Sequence, residues 1–274
     1  MGPAQGDSYH PVRSLITFAN VGDEVTAAPA ETMEFAVDGP FRRDLAADNG
    51  NLVARARDAL LEVSPRVAPF RLVLSKRLPI AAGLGGGSAD AAAALRLMRR
   101  DLGLKANDEV IADIARTLGA DVYACLLGQP TMAAGRGDVL SPAPGLPDLH
   151  AVLANPRVPS PTAAVYRAYD QTPSVADAPR PTGSLASVKE AVAFLGVCRN
   201  DLEAPATRLR PEIGEVLAEL AAQPETLLAR MSGSGATCFA VCGNAFDARA
   251  LAMRLSGRHP NWWVSQTLLR GGGG

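Results

Sequence analysis

Leu78-Pro-Ile-Ala-Ala-Gly-Leu-Gly-Gly-Gly-Ser-Ala-Asp-Ala-Ala-Ala-Ala-Leu95 sets four glycines, Gly83, Gly85, Gly86 and Gly87, directly ahead of an alanine-rich run that starts a helix. Glycines let the main chain bend into conformations closed to other residues. Successive N–H groups then converge on one point, and the helix N-terminus adds free donors and partial positive charge. A phosphate is the natural guest of such a cradle. Ser88 reads as the helix cap, Asp90 falls in the first turn, and the apolar strand Phe70–Ser75 leads into the loop. The plain alternative is a flexible turn entering a core helix.

Two better-known phosphate loops do not fit. A Walker-type loop ends in Gly-Lys-Ser/Thr, whereas Ser88 follows Gly87 with no lysine between. In the dinucleotide fingerprint G-x-G-x-x-G, Gly83 and Gly85 fill the first two places but Ser88 takes the third, which weakens an NAD-dependent oxidoreductase reading.

The 274 residues, 47% hydrophobic, are enough for a sizeable core and for two lobes. A net charge of −1 provides no basic field for nucleic acid or an anionic membrane. Cys125, Cys198, Cys238 and Cys242 lack metal-type spacing and read as buried, reduced thiols of a cytoplasmic protein. No apolar run reaches membrane-spanning length, and the polar start Met1–Asp7 does not read as a signal peptide.

Outward from the loop, the pattern predicts two short strands within 12–29 and a helix over 51–63. Beyond the loop helix, 88–101, comes a second helix to Leu118 capped by Asn107 and ended by Gly119. A strand over 130–134, a turn at 135–138 and a proline-rich hinge at 141–147 follow. The second half reads as a strand at 150–154, a helix at 162–170 and a mobile loop at 171–187. Helices at 186–195 and 211–222 precede a glycine-turned hairpin at 229–242, then a helix at 245–256 and a last strand at 262–269. Strands and helices interleave throughout, so the expected class is α+β with two lobes, 1–143 and 149–270.

These pieces resemble one family. Lys76 to Asp90 resembles the ATP-binding motif of the GHMP small-molecule kinases, and Ser232-Gly-Ser-Gly-Ala-Thr237 resembles their third motif. Ser8-Tyr-His-Pro-Val-Arg-Ser-Leu15, Gly119-Ala-Asp-Val122 and Asn200-Asp-Leu-Glu203 are similar to elements of one branch. That branch phosphorylates the 2-hydroxyl of cytidine-diphosphate-linked methylerythritol, on the non-mevalonate route to isoprenoid precursors. The resemblance implies an N-terminal lobe like ribosomal protein S5 domain 2, a ferredoxin-like C-terminal lobe and an active site in the cleft between them. It also implies ATP with Mg2+ as its counter-ion, a small-molecule partner and a cytoplasmic monomer or homodimer.

The same resemblance implies roles. Pro79, Ile80, Ala81, Ala82, Gly83, Leu84, Gly85, Gly86, Gly87, Ser88 and Ala89 would hold the ATP phosphates through backbone N–H groups. Asp121 matches the catalytic aspartate, which accepts or orients the proton of the attacking hydroxyl. Ser232, Gly233, Ser234 and Gly235 would line the substrate site. Tyr9 and His10 match the residues that recognise cytosine, by stacking and by hydrogen bonding, and Tyr166 is a candidate second wall of the base slot. Bland readings stand beside each: a solvated loop carboxylate for Asp121, an ordinary turn for Ser232–Gly235, a surface Tyr-His pair, and core packing for Tyr166. Asp201 and Glu203 read as structural.

The family pattern also has a strand like Pro-Ala-Lys-Ile-Asn-Leu ahead of the Tyr-His element, with a lysine beside the catalytic aspartate. Judged by that spacing, such a strand plus a turn would take about 15 to 20 residues, at ~3.3 Å each, which this chain is expected to lack through a misassigned start, a truncation or a real absence. Without that cation the chain as given is expected to be a weak or inactive kinase. Two further readings stay open: another GHMP kinase, of homoserine or mevalonate-pathway type, and a nucleotide-binding protein without catalysis.

Overall fold

The computed structural model describes residues 1–2, 10–45, 47, 50–64, 68–101, 107–173, 179 and 185–272. In chain order the strands are β1 (Val12–Ile16), β2 (Glu24–Pro29), β3 (Glu34–Asp38), β4 (Phe70–Ser75), β5 (Thr131–Gly135), β6 (Val139–Pro142), β7 (Leu149–Asn155), β8 (Thr226–Met231), β9 (Cys238–Cys242) and β10 (Trp263–Leu269). The helices are α1 (Leu52–Val63), α2 (Gly86–Asp101), α3 (Asp108–Leu118), α4 (Ala120–Leu127), α5 (Thr162–Tyr169), α6 (Val188–Val197), α7 (Glu203–Leu209), α8 (Pro211–Ala221) and α9 (Ala245–Arg258). The mixture is α+β. Among the described residues no helix is long and apolar enough to cross a membrane.

The chain divides into two compact units. One comprises residues 22–80 and 85–128. Its sheet runs β2-β4-β3, with β4 antiparallel to β2 and parallel to β3. Phe70, Leu72 and Leu74 alternate onto the buried face of β4, the period of two that burial on one side demands. They meet Val53, Ala56 and Leu60 of α1, Leu95 and Met98 of α2, and Ile111 and Ile114 of α3. Asn51 starts α1 by accepting from Val53 N at 2.9 Å, and Asn107 starts α3 by accepting from Val110 N at 2.9 Å. The apolar faces of these helices and of the sheet close on one core.

The other unit comprises residues 1–21, 81–84 and 129–274. β5 pairs antiparallel with both β1 and β6. A second sheet runs β10-β7-β9-β8, antiparallel throughout. Its chain order, β7, helices, β8, β9, α9, β10, is that of a ferredoxin-like β-α-β-β-α-β unit. Both faces of this sheet are buried. Val152, Ala154, Cys238 and Ala240 meet Ile213, Val216 and Leu220 of α8 and Leu251 and Leu255 of α9. Leu149 and Val241 point the other way, onto Leu146, Leu185 and Ala191 of α6.

Several expectations need correction. α2 starts at Gly86, so Ser88 lies inside the helix and does not cap it. Ala120-Asp121-Val122 is the start of α4, a helix of its own. β3, β6 and α7 were not expected from the pattern. The proline-rich stretch 141–147 is tied down: β6 takes its start, Ala143 N donates to Pro130 O at 3.2 Å, and Leu146 is buried. The four cysteines are free, but only Cys238 and Cys242 are buried. Most of the segment expected as a mobile loop, 174–178 and 180–184, lies outside the described residues.

Candidate active site

The two glycine-rich motifs touch, main chain to main chain. Ser232 Oγ donates to Gly83 O at 2.8 Å, and Thr237 N donates to Ala82 O at 3.0 Å. Gly83 has φ +72°, and a Cβ built on it would lie 2.4 Å from Ser232 O and 2.7 Å from Gly235 O. No side chain fits there, and φ in this region is open chiefly to glycine. Residues 149 apart in sequence thus share one surface.

The turn between β8 and β9 is held from several sides. Asn200 Nδ2 donates to Met231 O at 2.9 Å and to Gly233 O at 2.7 Å. Glu203 Oε2 accepts from Met231 N at 2.9 Å. Ser160 Oγ donates to Ser234 O at 2.9 Å, and Thr162 Oγ1 pairs with Ser234 Oγ at 2.9 Å. Asn200 and Glu203, whose motif was read as structural, therefore clasp the turn that carries Ser232–Gly235. Their role was invisible in the sequence because these contacts span about thirty residues.

On the other side of the loop, the first bond of α2 runs from Ala89 N to Gly85 O at 2.9 Å. Among the described residues, the amides of Gly86, Gly87 and Ser88 are therefore donors of the helix start without an intrahelical partner. A Cβ built on Gly85 meets nothing within 4 Å, so there is room beside this residue. Free amides, a helix dipole and room fit a phosphate chain. Pro79 and Ala82 are buried and anchor the loop, while Ala81 at φ +51° and Gly85 at φ +64° turn it.

An ion cluster lies beneath the helix start. Lys76 Nζ donates to Asp90 Oδ2 at 2.9 Å and to Asp23 Oδ2. Asp23 Oδ1 also accepts from the amides of Arg77 at 2.6 Å and Leu78 at 2.8 Å. All three side chains are buried. Burial pushes the Asp90 carboxyl up to about 7, Lys76 opposes the rise, and Asp23 adds to it. The sequence reading placed Asp90 at the helix start but missed its partners; no local signal links Asp23, Lys76 and Asp90.

Asp121 sits in the first turn of α4 and is exposed as a residue. Desolvation around its carboxyl nevertheless raises its pKa, the direction that suits a proton acceptor. One turn on, burial first and then the charge of Asp121 push the Cys125 thiol up to about 12, which keeps it protonated and inert.

His10 is buried, and its ring stands edge-on to Tyr166 at 5.0 Å and to Tyr169 at 5.7 Å. Tyr9 lies outside the described residues. Tyr166, Ser232 and Gly233 line one cavity of about 320 Å³, together with Arg13, Leu15 and Met231. Among the described residues no group of three or more His, Cys, Asp or Glu side chains is gathered for a metal ion.

Residues 51–129 match the family model for the GHMP kinases N terminal domain, and residues 180–260 match that for the GHMP kinases C terminal. The chain belongs to the GHMP kinase family. It is 53% identical, over 99% of its length and 94% of the relative's, to a 4-diphosphocytidyl-2-C-methyl-D-erythritol kinase of Caulobacter sp. (strain K31). A protein of the same name from Caulobacter vibrioides (strain NA1000 / CB15N) is 51% identical over 98% of this chain and 94% of its own. A crystal structure of 4-(cytidine 5'-diphospho)-2C-methyl-D-erythritol kinase superposes with a TM-score of 0.79 at 33% identity, covering 98% of this chain and 94% of that one.

Proposed function

We propose that this chain transfers the γ-phosphoryl group of ATP to the 2-hydroxyl of 4-diphosphocytidyl-2-C-methyl-D-erythritol, a step toward isoprenoid precursors. The observation that carries the reading is identity of 51–53% with kinases of that name over nearly the whole chain. The loop geometry agrees with it. Phosphoryl transfer asks little covalent chemistry of a protein; it asks for position and for donors aimed at the phosphate oxygens.

The roles follow from what each group can do. Gly86, Gly87 and Ser88 donate their free amides to the phosphates, and the rest of Pro79–Ala89 fixes the bend. Asp121 accepts or orients the proton of the attacking hydroxyl, and its raised pKa makes it a better base. Ser232–Gly235, held by Asn200 and Glu203, presents main chain to the acceptor and phosphates. Tyr9, His10 and Tyr166 take the cytosine. Mg2+ would be held with the nucleotide, Ser88 being the candidate protein hydroxyl, and would supply neutralisation of the phosphate charge. We place the enzyme in the cytoplasm, as a monomer or homodimer acting on a small molecule.

The test offers the purified protein ATP, Mg2+ and one acceptor at a time: 4-diphosphocytidyl-2-C-methyl-D-erythritol, homoserine or mevalonate. Phosphorylation of the cytidine compound is expected to exceed that of the other two, whatever the absolute rate. Turnover of homoserine or mevalonate in preference to it would overturn the reading.

A further inference from the structure

Asp121 stands on α4, a helix of only eight residues. Helices that short are marginal on their own. No side chain caps its start, where the amides of Val122 and Tyr123 share the Gly119 carbonyl at 3.0 and 3.3 Å. Val122, Cys125 and Leu126 of α4 share one core with Ala91, Ala94 and Leu95 of α2, and the two helices pack together. Apolar contact of this kind has no direction. By itself it does not fix how far a short helix slides or turns.

Arg96 supplies the direction. Its Nη1 donates to Cys125 O at 2.8 Å and to Leu126 O at 3.1 Å. Both carbonyls belong to the last turn of α4, where a helix leaves its carbonyls open, and a cation there also meets the negative end of the helix dipole. From α3, the Arg116 guanidinium lies 4.2 Å over the Tyr123 ring and steadies the same helix. Arg96 itself belongs to α2, the helix that begins with the amides of Gly86, Gly87 and Ser88. One helix thus joins the proposed phosphate site to the end of the helix that opens with Asp121.

We propose that Arg96 is a positioning residue for phosphoryl transfer: by clamping the end of α4 to α2 it sets where the Asp121 carboxylate stands relative to phosphates held at the start of α2. The inference rests on the reading of Asp121 as the proton acceptor. No contact of Arg96 with either substrate is invoked; it acts through α4. Phosphoryl transfer depends above all on position, and a shift of about 1 Å in a reacting group costs up to roughly 10²-fold in rate.

The experiment measures kcat and both KM values with ATP and 4-diphosphocytidyl-2-C-methyl-D-erythritol, each as a ratio to the wild type. The variants are Arg96→Met, Arg96→Lys, Asp121→Asn and Arg96→Met/Asp121→Asn. Arg96 is exposed, so its replacement opens no cavity. Hydrogen–deuterium exchange of the α4 amides is followed alongside. Arg96→Met is expected to lower kcat about tenfold, to leave KM for ATP within about twofold, and to speed exchange in α4 but not in α1. Arg96→Lys keeps a cation that donates to the carbonyls and should restore most of kcat. In the Asp121→Asn background Arg96→Met should cost nothing further, because there is no carboxylate left to place. Unchanged kcat or unchanged α4 exchange in Arg96→Met overturns the proposal. So does a fully additive loss in the double variant, which would make Arg96 merely structural. An Asp121→Asn variant as active as the wild type removes the reading of Asp121 beneath the inference. Activity lost in Asp121→Asn but intact in Arg96→Met overturns the inference alone.

Discussion

Lys76 Nζ donates to Asp90 Oδ2 at 2.9 Å in a buried cluster completed by Asp23, near the start of α2. The Asp23 side chain is 0% exposed and that of Asp90 6%. Asp23 also binds the amides of Arg77 and Leu78, so the cluster ties the approach to the loop to the helix that leaves it.

Removing the cation should therefore be severe. Lys76→Met leaves two buried carboxylates facing each other, and breaking such a pair costs about 3–5 kcal/mol. Urea unfolding of Lys76→Met measures this, with Lys76→Met/Asp90→Asn as its companion. The second substitution removes one orphaned charge and should recover part of the loss. A single variant as stable as the wild type would show that the cluster carries no structural weight.

The same cluster makes stability depend on pH. Burial raises Asp90 to about 7 in the folded chain, above the ordinary carboxylate value it takes when unfolded. Between those values the folded state binds the extra proton. Its contribution to stability is thus complete below the ordinary carboxylate range and is lost as pH rises through about 7. Asp90→Asn should flatten that part of the profile. Unfolding midpoints taken in steps from pH 5 to pH 8 decide the matter; slopes identical in both proteins would contradict it.

Glycine substitutions separate contact from conformation. Gly83→Ala drives a methyl to within 2.4 Å of Ser232 O and should break the junction of the two motifs. Gly85→Ala meets nothing within 4 Å and bears only its φ of +64°, a penalty of about 1–2 kcal/mol. Melting temperatures and ATP affinity are the readouts. Gly83→Ala is expected to lose both, and Gly85→Ala to stay folded. The reverse order would refute the packing described here.

Asp121→Asn should lower kcat by roughly 10²–10⁴-fold, the usual worth of a positioned acid-base group. KM for ATP should move little, because no phosphate contact is assigned to the carboxylate. Steady-state kinetics at saturating ATP and acceptor gives the answer. A variant within about threefold of the wild type would remove Asp121 from the proton step.

The sequence was legible where local pattern and burial agree. The apolar strand Phe70–Ser75 forms β4 and the Asn107 cap starts α3, as expected. It misled where the signal was weak or absent. α4 has no side-chain cap and an apolar composition with no polar stripe, so Ala120–Val122 read as a connection. β3 is a short, half-exposed edge strand, and α7 carries Pro205 within seven residues. Ser88 suggested a cap, but the helix begins two residues earlier on glycine. At the site, the glycine loop and the Ser-Gly turn were visible as motifs, while the roles proposed for Asp121 and His10 rest on resemblance to a family. The Asp23–Lys76–Asp90 cluster, the Asn200 clasp and the Arg96 clamp on α4 join residues far apart in sequence, and no local periodicity encodes such pairings.

The bend at residues 79–89 is proposed to hold the nucleotide's triphosphate on its main-chain amides. A crystal structure with a non-hydrolysable ATP analogue tests it most directly. Phosphate oxygens are expected within hydrogen-bond reach of the Gly86, Gly87 and Ser88 amides. A triphosphate bound elsewhere, with those amides still facing solvent, would contradict it.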